Sequence, residues 1–373
     1  MLLRLLRKTS RAFGKAKPQM NFNSFNKAAN AVKRFIHAGE GDFNEYACAL
    51  FRLQSKRVPP LRKLCETKMI VPEEITNWQD IPTLPADSFG EFEITSLHPD
   101  DRTAVFHSSG TTGANTSKHW HNDESLSIYK ASLKPSFQIH MIPEAIWSGE
   151  CLSLTPSNVE APRSSLAHMA ANVTCPNVQF AGINSNDGWQ VDVEIASSAC
   201  TNAVEQQRPI IIIGPAFSFV HWLDESPDRF HLPSGSRVME TGGYKGRSRE
   251  MPKAELHALI SKKFNVPTDW IVCEYGMCEL GSQAYDTIAG NGLERCFRFP
   301  SWARAQIINA DTGALVADGE AGLLRIFDLS NVRSVVGVQT QDLAIRRSDG
   351  FELIGRSMRA NPRGCSLALS EAS

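Results

Sequence analysis

Apolar residues recur at helical spacing through Phe25, Ala28, Ala29, Val32, Phe35 and Ile36, which predicts an amphipathic helix opening near Ser24. Asp42, with Glu45 three residues on, has the pattern of a capping box. It predicts a second helix through Phe43, Tyr46, Leu50 and Leu53 that ends before Pro59 and Pro60. The stretch through Pro72, Pro82 and Pro85 reads as an extended crossing loop. Between residues 103 and 280, short apolar runs at 104–106, 152–154, 210–213, 238–241 and 271–275 alternate with longer amphipathic ones at 126–133, 164–173, 191–204 and 251–264. That alternation predicts an α/β layer structure with a largely parallel sheet. From Ala303 the character changes. Segments 303–308, 322–327 and 351–354, with a turn at Asp311-Thr312-Gly313, read as antiparallel strands.

Composition narrows the class without naming a function. At 373 residues, with 42% apolar and 21% charged positions, the chain can bury a large core and is not disordered throughout. The 39 basic residues nearly balance the 40 acidic ones, so no global field recruits nucleic acid. The longest strongly apolar run, Ile210 to Ile213 between Pro209 and Gly214-Pro215, falls far short of a bilayer span, so stable membrane insertion is not expected. Nine scattered cysteines without a Cys-x-x-Cys pair suggest neither a disulfide scaffold nor a zinc ribbon, and favour a reducing, cytoplasmic setting. His119 and His121 flank Trp120, but two histidines without a third ligand nearby make no metal site. Residues 1–39 carry nine basic side chains and no acid, which suits either a solvated basic extension, taken here as residues 1–23, or an organelle transit peptide.

The sharpest chemical signal follows the 104–106 strand. In His107-Ser108-Ser109-Gly110-Thr111-Thr112-Gly113, two glycines let backbone N–H groups converge and four hydroxyls add donors for phosphate oxygens. It is not a Walker A loop, because the Gly-Lys ending is missing. By itself such a run is equally an ordinary turn, as Tyr275 is equally a core residue, His168 a satisfied core histidine, and Asp342 or Glu279 a solvated carboxylate.

Four further clusters change the weight of that loop. They are Thr241-Gly242-Gly243-Tyr244-Lys245-Gly246-Arg247, Tyr275-Gly276-Met277-Cys278-Glu279, Thr340-Gln341-Asp342, and Asp349-Gly350 with Gly355-Arg356. In this order they resemble the core motifs of the adenylate-forming superfamily. Within it, Phe43-Asn44, Trp78, Ile81-Pro82, the run from Ala161 to Met169, and Arg363-Gly364-Cys365-Ser366-Leu367-Ala368 resemble the long-chain acyl-protein synthetases of bacterial bioluminescence fatty-acid reductase complexes. The likeness runs over residues 24–370 or so.

The resemblance implies an adenylate-forming domain over 24–356, with mainly parallel sheet layers and a β-rich C-terminal part, followed by a short tail over 357–373. It implies that ATP converts a carboxylic acid, fatty in the closest likeness, to an acyl-adenylate, and that a thiol then takes the acyl group. On that pattern Ser108, Ser109, Gly110, Thr111, Thr112 and Gly113 hold the β- and γ-phosphates, and Glu279 holds Mg²⁺, a hard cation suited to carboxylate oxygen. Gly242, Gly243, Tyr244, Tyr275 and Gly276 surround the adenine, and Asp342 and Arg356 meet the ribose. Lys245 stands as a cation beside the glycine loop, and His168 lines the acyl or adenylate pocket. Cys365 is the acyl acceptor that passes the chain to a partner acyl reductase. Nine residues from Arg356 to Cys365 reach at most about 30 Å, and Arg359 and Arg363 favour the thiolate.

Three departures accompany the likeness. Cys278 stands where the superfamily usually has Thr, Lys118 lies four residues beyond the usual place of the loop lysine, and the 17 residues after Arg356 leave no room for the relatives' mobile lysine-bearing domain. A coenzyme A ligase of the phenylacetate type and a non-catalytic scaffold remain the alternatives at this level. The acid and the oligomeric state are open.

Overall fold

The computed structural model describes residues 20–108, 116–173, 175, 177–185, 188–244, 248–292 and 294–356. Helix α1 (Phe25–Ala38) starts where the apolar spacing predicts, with the Ser24 hydroxyl accepting from the Lys27 amide and Gly39 closing it at a positive φ of 69°. In α2 (Phe43–Arg57) the Asp42 carboxylate accepts from the amides of Asn44 and Glu45. The prolines that end α2 also begin α3 (Pro59–Thr67), a helix the sequence reading missed, because a first-turn proline has no intrahelical N–H to lose. The crossing stretch that follows is not purely extended: it carries single 3₁₀ turns, β1 (Leu84–Pro85) and the one-turn α4 (Ser88–Glu91).

A hairpin of β2 (Ala104–His107) and β3 (Lys118–His121) leads into α5 (Asp123–Met141). This helix is longer than the apolar spacing suggests. A capping box at Asn122 and Ser125 starts it early, and buried Phe137 and Met141 carry it past Pro135, where packing offsets one lost backbone bond. Then come β4 (Glu150–Ser153), α6 (Ser165–Ala170), β5 (Val178–Phe180), the hairpin β6 (Gly182–Ser185) and β7 (Gly188–Val191), and α7 (Val193–Glu205). The core continues with β8 (Ile210–Pro215), α8 (Ala216–Glu225), β9 (Arg237–Thr241), α9 (Lys253–Phe264), β10 (Ile271–Tyr275) and β11 (Ala284–Tyr285). Helix α8 escaped the periodicity because apolar Ala216, Phe217, Phe219, Val220 and Trp222 run around it and all are buried.

The main sheet has the order β11-β10-β9-β8-β4-β5, parallel except for β11. Every residue of β8, β9 and β10 is buried, because helices cover both faces. Ile210 and Ile212 pack with α7, α8 and α9, while Ile211 and Ile213 pack with α5 and Met169 of α6. Each such isoleucine stabilises the fold by roughly 1.5–3 kcal/mol through burial. Cys151 of β4 forms a disulfide with Cys175, a pairing not foreseen from the scattered cysteines.

The C-terminal part is a second sheet of β12 (Ala303–Ile308), β13 (Ala321–Asp328), β14 (Gly337–Arg347) and β15 (Gly350–Arg356), antiparallel as predicted. Strand β1 joins it in parallel, sharing an edge of the long β14 with β15. No helix of the described residues is long and apolar enough to cross a membrane. The basic stretch read as a possible transit segment lies for the most part in residues 1–19, outside the described residues.

Candidate active site

Strand ends of the two sheets bring separated motifs together. Tyr275 closes β10, the strand following α9, and its hydroxyl donates to Asp342 Oδ2 at 2.7 Å. Asp342 lies on β14 directly opposite Arg356 of β15, and Arg356 Nε donates to Asp342 Oδ1 at 3.1 Å. Thus one carboxylate joins three clusters up to 81 positions apart in the chain, from Tyr275 to Arg356. Burial pushes the Tyr275 phenol well above its ordinary pKa, and the Asp342 charge adds to this, so it remains a hydrogen-bond donor at any physiological pH. The Tyr275 ring is set edge-on against Phe297, Phe299 and Phe351, with centroids 6.0, 6.4 and 5.6 Å away.

A second convergence surrounds the hydroxyl- and glycine-rich loop. The Ser108 amide donates to Ser117 O at 3.2 Å and the Ser117 amide to Ser108 Oγ at 3.1 Å, which pinches the base of the loop that joins β2 to β3. Ser109, Gly110, Thr111, Thr112 and Gly113 lie outside the described residues. The Ser117 side chain hydrogen-bonds the buried Glu279, tying the hairpin to the motif that follows Tyr275. Burial raises the Glu279 pKa, opposed by the Ser117 and Cys278 hydrogen bonds, a backbone bond and the Arg356 charge. Glu279 also adds to the field felt by Tyr275, so the two convergences are electrostatic neighbours. Lys118 opens β3 opposite His107, and burial with the charges of Arg163 and Lys118 lowers the His107 pKa. Arg163 O in turn accepts from the His107 amide at 2.8 Å.

Glycines here have physical reasons. Gly242 has a φ of 68°, which L side chains rarely adopt, whereas a Cβ on Gly243 meets nothing within 4 Å. A Cβ on Gly276 would sit 2.4 Å from Glu274 Oε1. Tyr244 is not gathered with Tyr275: its hydroxyl donates to Met251 O at 2.8 Å and its ring packs against the core shared by α7, α8 and α9. Lys245 and Cys365 lie outside the described residues.

His168 projects from α6 onto Phe106 and Tyr129, with ring centroids 5.2 and 5.5 Å away, and its Nε2 is buried without a hydrogen-bond partner. Burial, with the Lys130 charge, lowers its pKa to about 4, so it is neutral at physiological pH. His119 and His121 are not solvent-facing: both are buried beneath the hairpin, and His119 Nδ1 donates to Cys278 O at 2.8 Å. Among the described residues no three His, Cys, Asp or Glu side chains form a group that could hold a metal ion.

Sequence reasoning gave no role to Ser117, Arg163 or Lys253. The Lys253 ammonium sits 3.0 Å from Cys273 Sγ and 4.7 Å from the Phe297 centroid, next to the Tyr275 wall. Only the proximity of Ser117 to the loop could have signalled the first of these. Lys253 is placed by the packing of α9 on the sheet, which leaves no local pattern.

A family model described as "Acyl-protein synthetase, LuxE" matches residues 39–373. Two curated relatives are long-chain-fatty-acid–luciferin-component ligases. The one from Vibrio harveyi is 24% identical over 334 residues, covering 83% of this chain and 82% of its own length. The one from Aliivibrio fischeri is 23% identical over 325 residues, covering 80% of each. Among solved structures, an open conformation of 2-hydroxyisobutyryl-CoA ligase, in complex with 2-HIB-AMP and CoA, superposes with a TM-score of 0.59 at 11% identity. It covers 84% of this chain and 75% of that one, a likeness of fold.

Proposed function

The chain belongs to the acyl-protein synthetase family, and on that premise we propose that it uses ATP to activate a carboxylic acid as acyl-AMP and then takes the acyl group onto Cys365. The observation that carries this reading is the double convergence of Tyr275, Asp342 and Arg356 on one side and Ser108, Ser117 and Glu279 on the other. A carboxylate is a poor electrophile. Its oxygen attacks the α-phosphorus, pyrophosphate leaves, and the acid becomes a mixed anhydride. The Cys365 sulfur then attacks the acyl carbon, a C–S bond forms, the bond from acyl carbon to phosphate oxygen breaks, and AMP departs as the thiol proton passes to solvent.

Asp342 accepts from the ribose hydroxyls, held in place by the Tyr275 phenol and assisted by Arg356. Tyr275 and the Gly242–Gly243 turn flank the adenine. The loop begun by Ser108 donates to the β- and γ-phosphates, where fixed donors stabilise charge as pyrophosphate forms. Glu279, beside the Ser117 hydroxyl, offers the hard carboxylate oxygen that would hold Mg²⁺. Mg²⁺ held there would neutralise triphosphate charge. Lys118 and Arg163 are the cations that stand beside the loop base, and Lys245 is assigned to the glycine-loop side. Neutral His168 lines the acid side. The thioester product calls for a separate acyl reductase, since the chain has no Gly-x-Gly-x-x-Gly after a strand.

Incubation with labelled acid, ATP and Mg²⁺ tests the acceptor. Hydroxylamine-sensitive label should accumulate on the wild-type chain and be absent from Cys365→Ala. Label retained on that variant, or released instead as a coenzyme A thioester, overturns the assignment.

A further inference from the structure

We infer that the chain carries a second small-molecule site, apart from the nucleotide site, that takes a phosphate monoester borne on a flat ring. In the C-terminal sheet β12 is an edge strand whose sheet partner is β13 alone. Between β12 and the turn from β14 to β15 lies a cavity of about 350 Å³, within the size range of small-ligand pockets. Trp78, Phe299 and Phe351 line it together with Arg304, Gln306 and Arg346. Arg347 opposite Gly350 borders the cavity at one end of the β14–β15 pair, and Asp342 opposite Arg356 forms the other end. Five residues of strand separate Asp342 from Arg347, roughly 17 Å. Phe43, Asn44 and Trp78, which take no part in the adenylation chemistry, build one wall. Asn44 Oδ1 accepts from the Trp78 amide at 2.7 Å, and the Phe43 and Phe327 rings hold the indole edge-on, with centroids 5.4 and 5.0 Å away.

The charges around this cavity do not balance. Asp349 is paired with Arg298 at 2.7 Å, and Arg347 with Glu352. Arg304 and Arg346 pair with no carboxylate among the described residues. Arg304 Nη1 donates to Ala303 O at 2.9 Å, and its guanidinium lies 4.8 Å from the Phe43 ring centroid. Arg346 Nη1 donates to Val316 O at 2.6 Å, and the Val316 amide donates to Ile307 O at 3.0 Å, which sets the second guanidinium close to β12. Burial lowers the Arg304 pKa and no neighbouring charge opposes it, so a half-buried cation stands without a counterion, a costly arrangement. Gln306 shares the Arg304 face of β12 by strand alternation. It is only 6% exposed, it lines the cavity, and its side-chain amide makes no hydrogen bond among the described residues. Two unspent guanidinium forks suit a phosphate monoester, which carries about two negative charges at neutral pH and accepts paired N–H bonds. Inorganic phosphate alone leaves the aromatic wall uncovered. A flat ring fills it, lying against Trp78 and Phe299 with its polar edge toward the Gln306 amide.

The experiment is isothermal titration of the full chain with 1-naphthyl phosphate, with 1-naphthol and inorganic phosphate as the two halves of the probe. Each titration is run with and without a nonhydrolysable ATP analogue and Mg²⁺ in excess. 1-Naphthyl phosphate is expected to bind with a Kd below about 1 mM, and each half at least about tenfold more weakly. The ATP analogue should leave that binding unchanged. Arg304→Met should weaken it at least about tenfold, and Arg346→Met carries the same test should the first variant not fold. No binding, equal binding of 1-naphthol, displacement by the ATP analogue, or full binding by the arginine variants each overturns the inference. ATP–pyrophosphate exchange tests the adenylation reading separately. Exchange without probe binding removes the second site alone, and probe binding without exchange removes the adenylation reading alone.

Discussion

Replacing Tyr275 by Phe tests what holds Asp342 in place. The phenol donates at 2.7 Å to a carboxylate that is only 9% exposed, and in the described residues its other side-chain bond is the one from Arg356 Nε at 3.1 Å. Deleting the phenol oxygen leaves Oδ2 buried and unbonded, and a hydrogen bond to a charged group is worth about 1.5–3 kcal/mol. The ion pair is the weaker tie. The Arg356 side chain is 80% exposed, and exposed pairs contribute at most ~1 kcal/mol. Tyr275→Phe should therefore lower stability in denaturant titration by about 1.5–3 kcal/mol. Arg356→Ala should cost no more than about 1 kcal/mol. Because the same carboxylate is assigned to the ribose, the KM for ATP in pyrophosphate exchange should rise at least about tenfold in Tyr275→Phe. The reasoning is refuted if Tyr275→Phe stays within about 0.5 kcal/mol of wild type, or if Arg356→Ala proves the more damaging of the two.

Further outcomes follow from the same geometry. Burial lowers the His119 pKa to about 4, so the folded chain keeps it neutral where the unfolded chain, with its ordinary value of 6.5, takes up a proton. Its stabilising effect is complete above pH 6.5 and falls away toward pH 4, by roughly 3 kcal/mol in all; His119→Gln should flatten that part of the stability profile, and an unchanged slope would count against a buried neutral imidazole. In Gly276→Ala, the new methyl would displace the Glu274 carboxylate and its bond from Thr241. Exchange activity should drop by about tenfold or more while the fold loses roughly 1–3 kcal/mol; wild-type activity would show that the wall has slack. Glu279→Gln should raise the Mg²⁺ concentration for half-maximal exchange at least about tenfold, and an unshifted Mg²⁺ titration would remove Glu279 from the metal role.

Local patterns specified most of the main sheet. The isoleucines of β8 announce a strand buried on both faces, and the alternation of apolar runs with amphipathic ones announces the α/β layers. Helices α3 and α8 stayed hidden, one behind prolines that usually end helices and the other because burial on all sides erases the helical stripe. The chemical clusters were equally visible as motifs, since glycines, hydroxyls and carboxylates are set by short-range backbone and ligand demands. Which side chains meet was not visible. The Tyr275–Asp342–Arg356 link depends on how β10 of one sheet abuts β14 and β15 of the other, and the Ser117–Glu279 link on how a hairpin lies across a strand end. Gln283 and His121, each with a buried polar atom that lacks a partner, look like ordinary polar residues in the chain and become unusual only through burial. A sequence can state each residue's chemistry, because that is covalent; partners and desolvation arise only when distant segments pack.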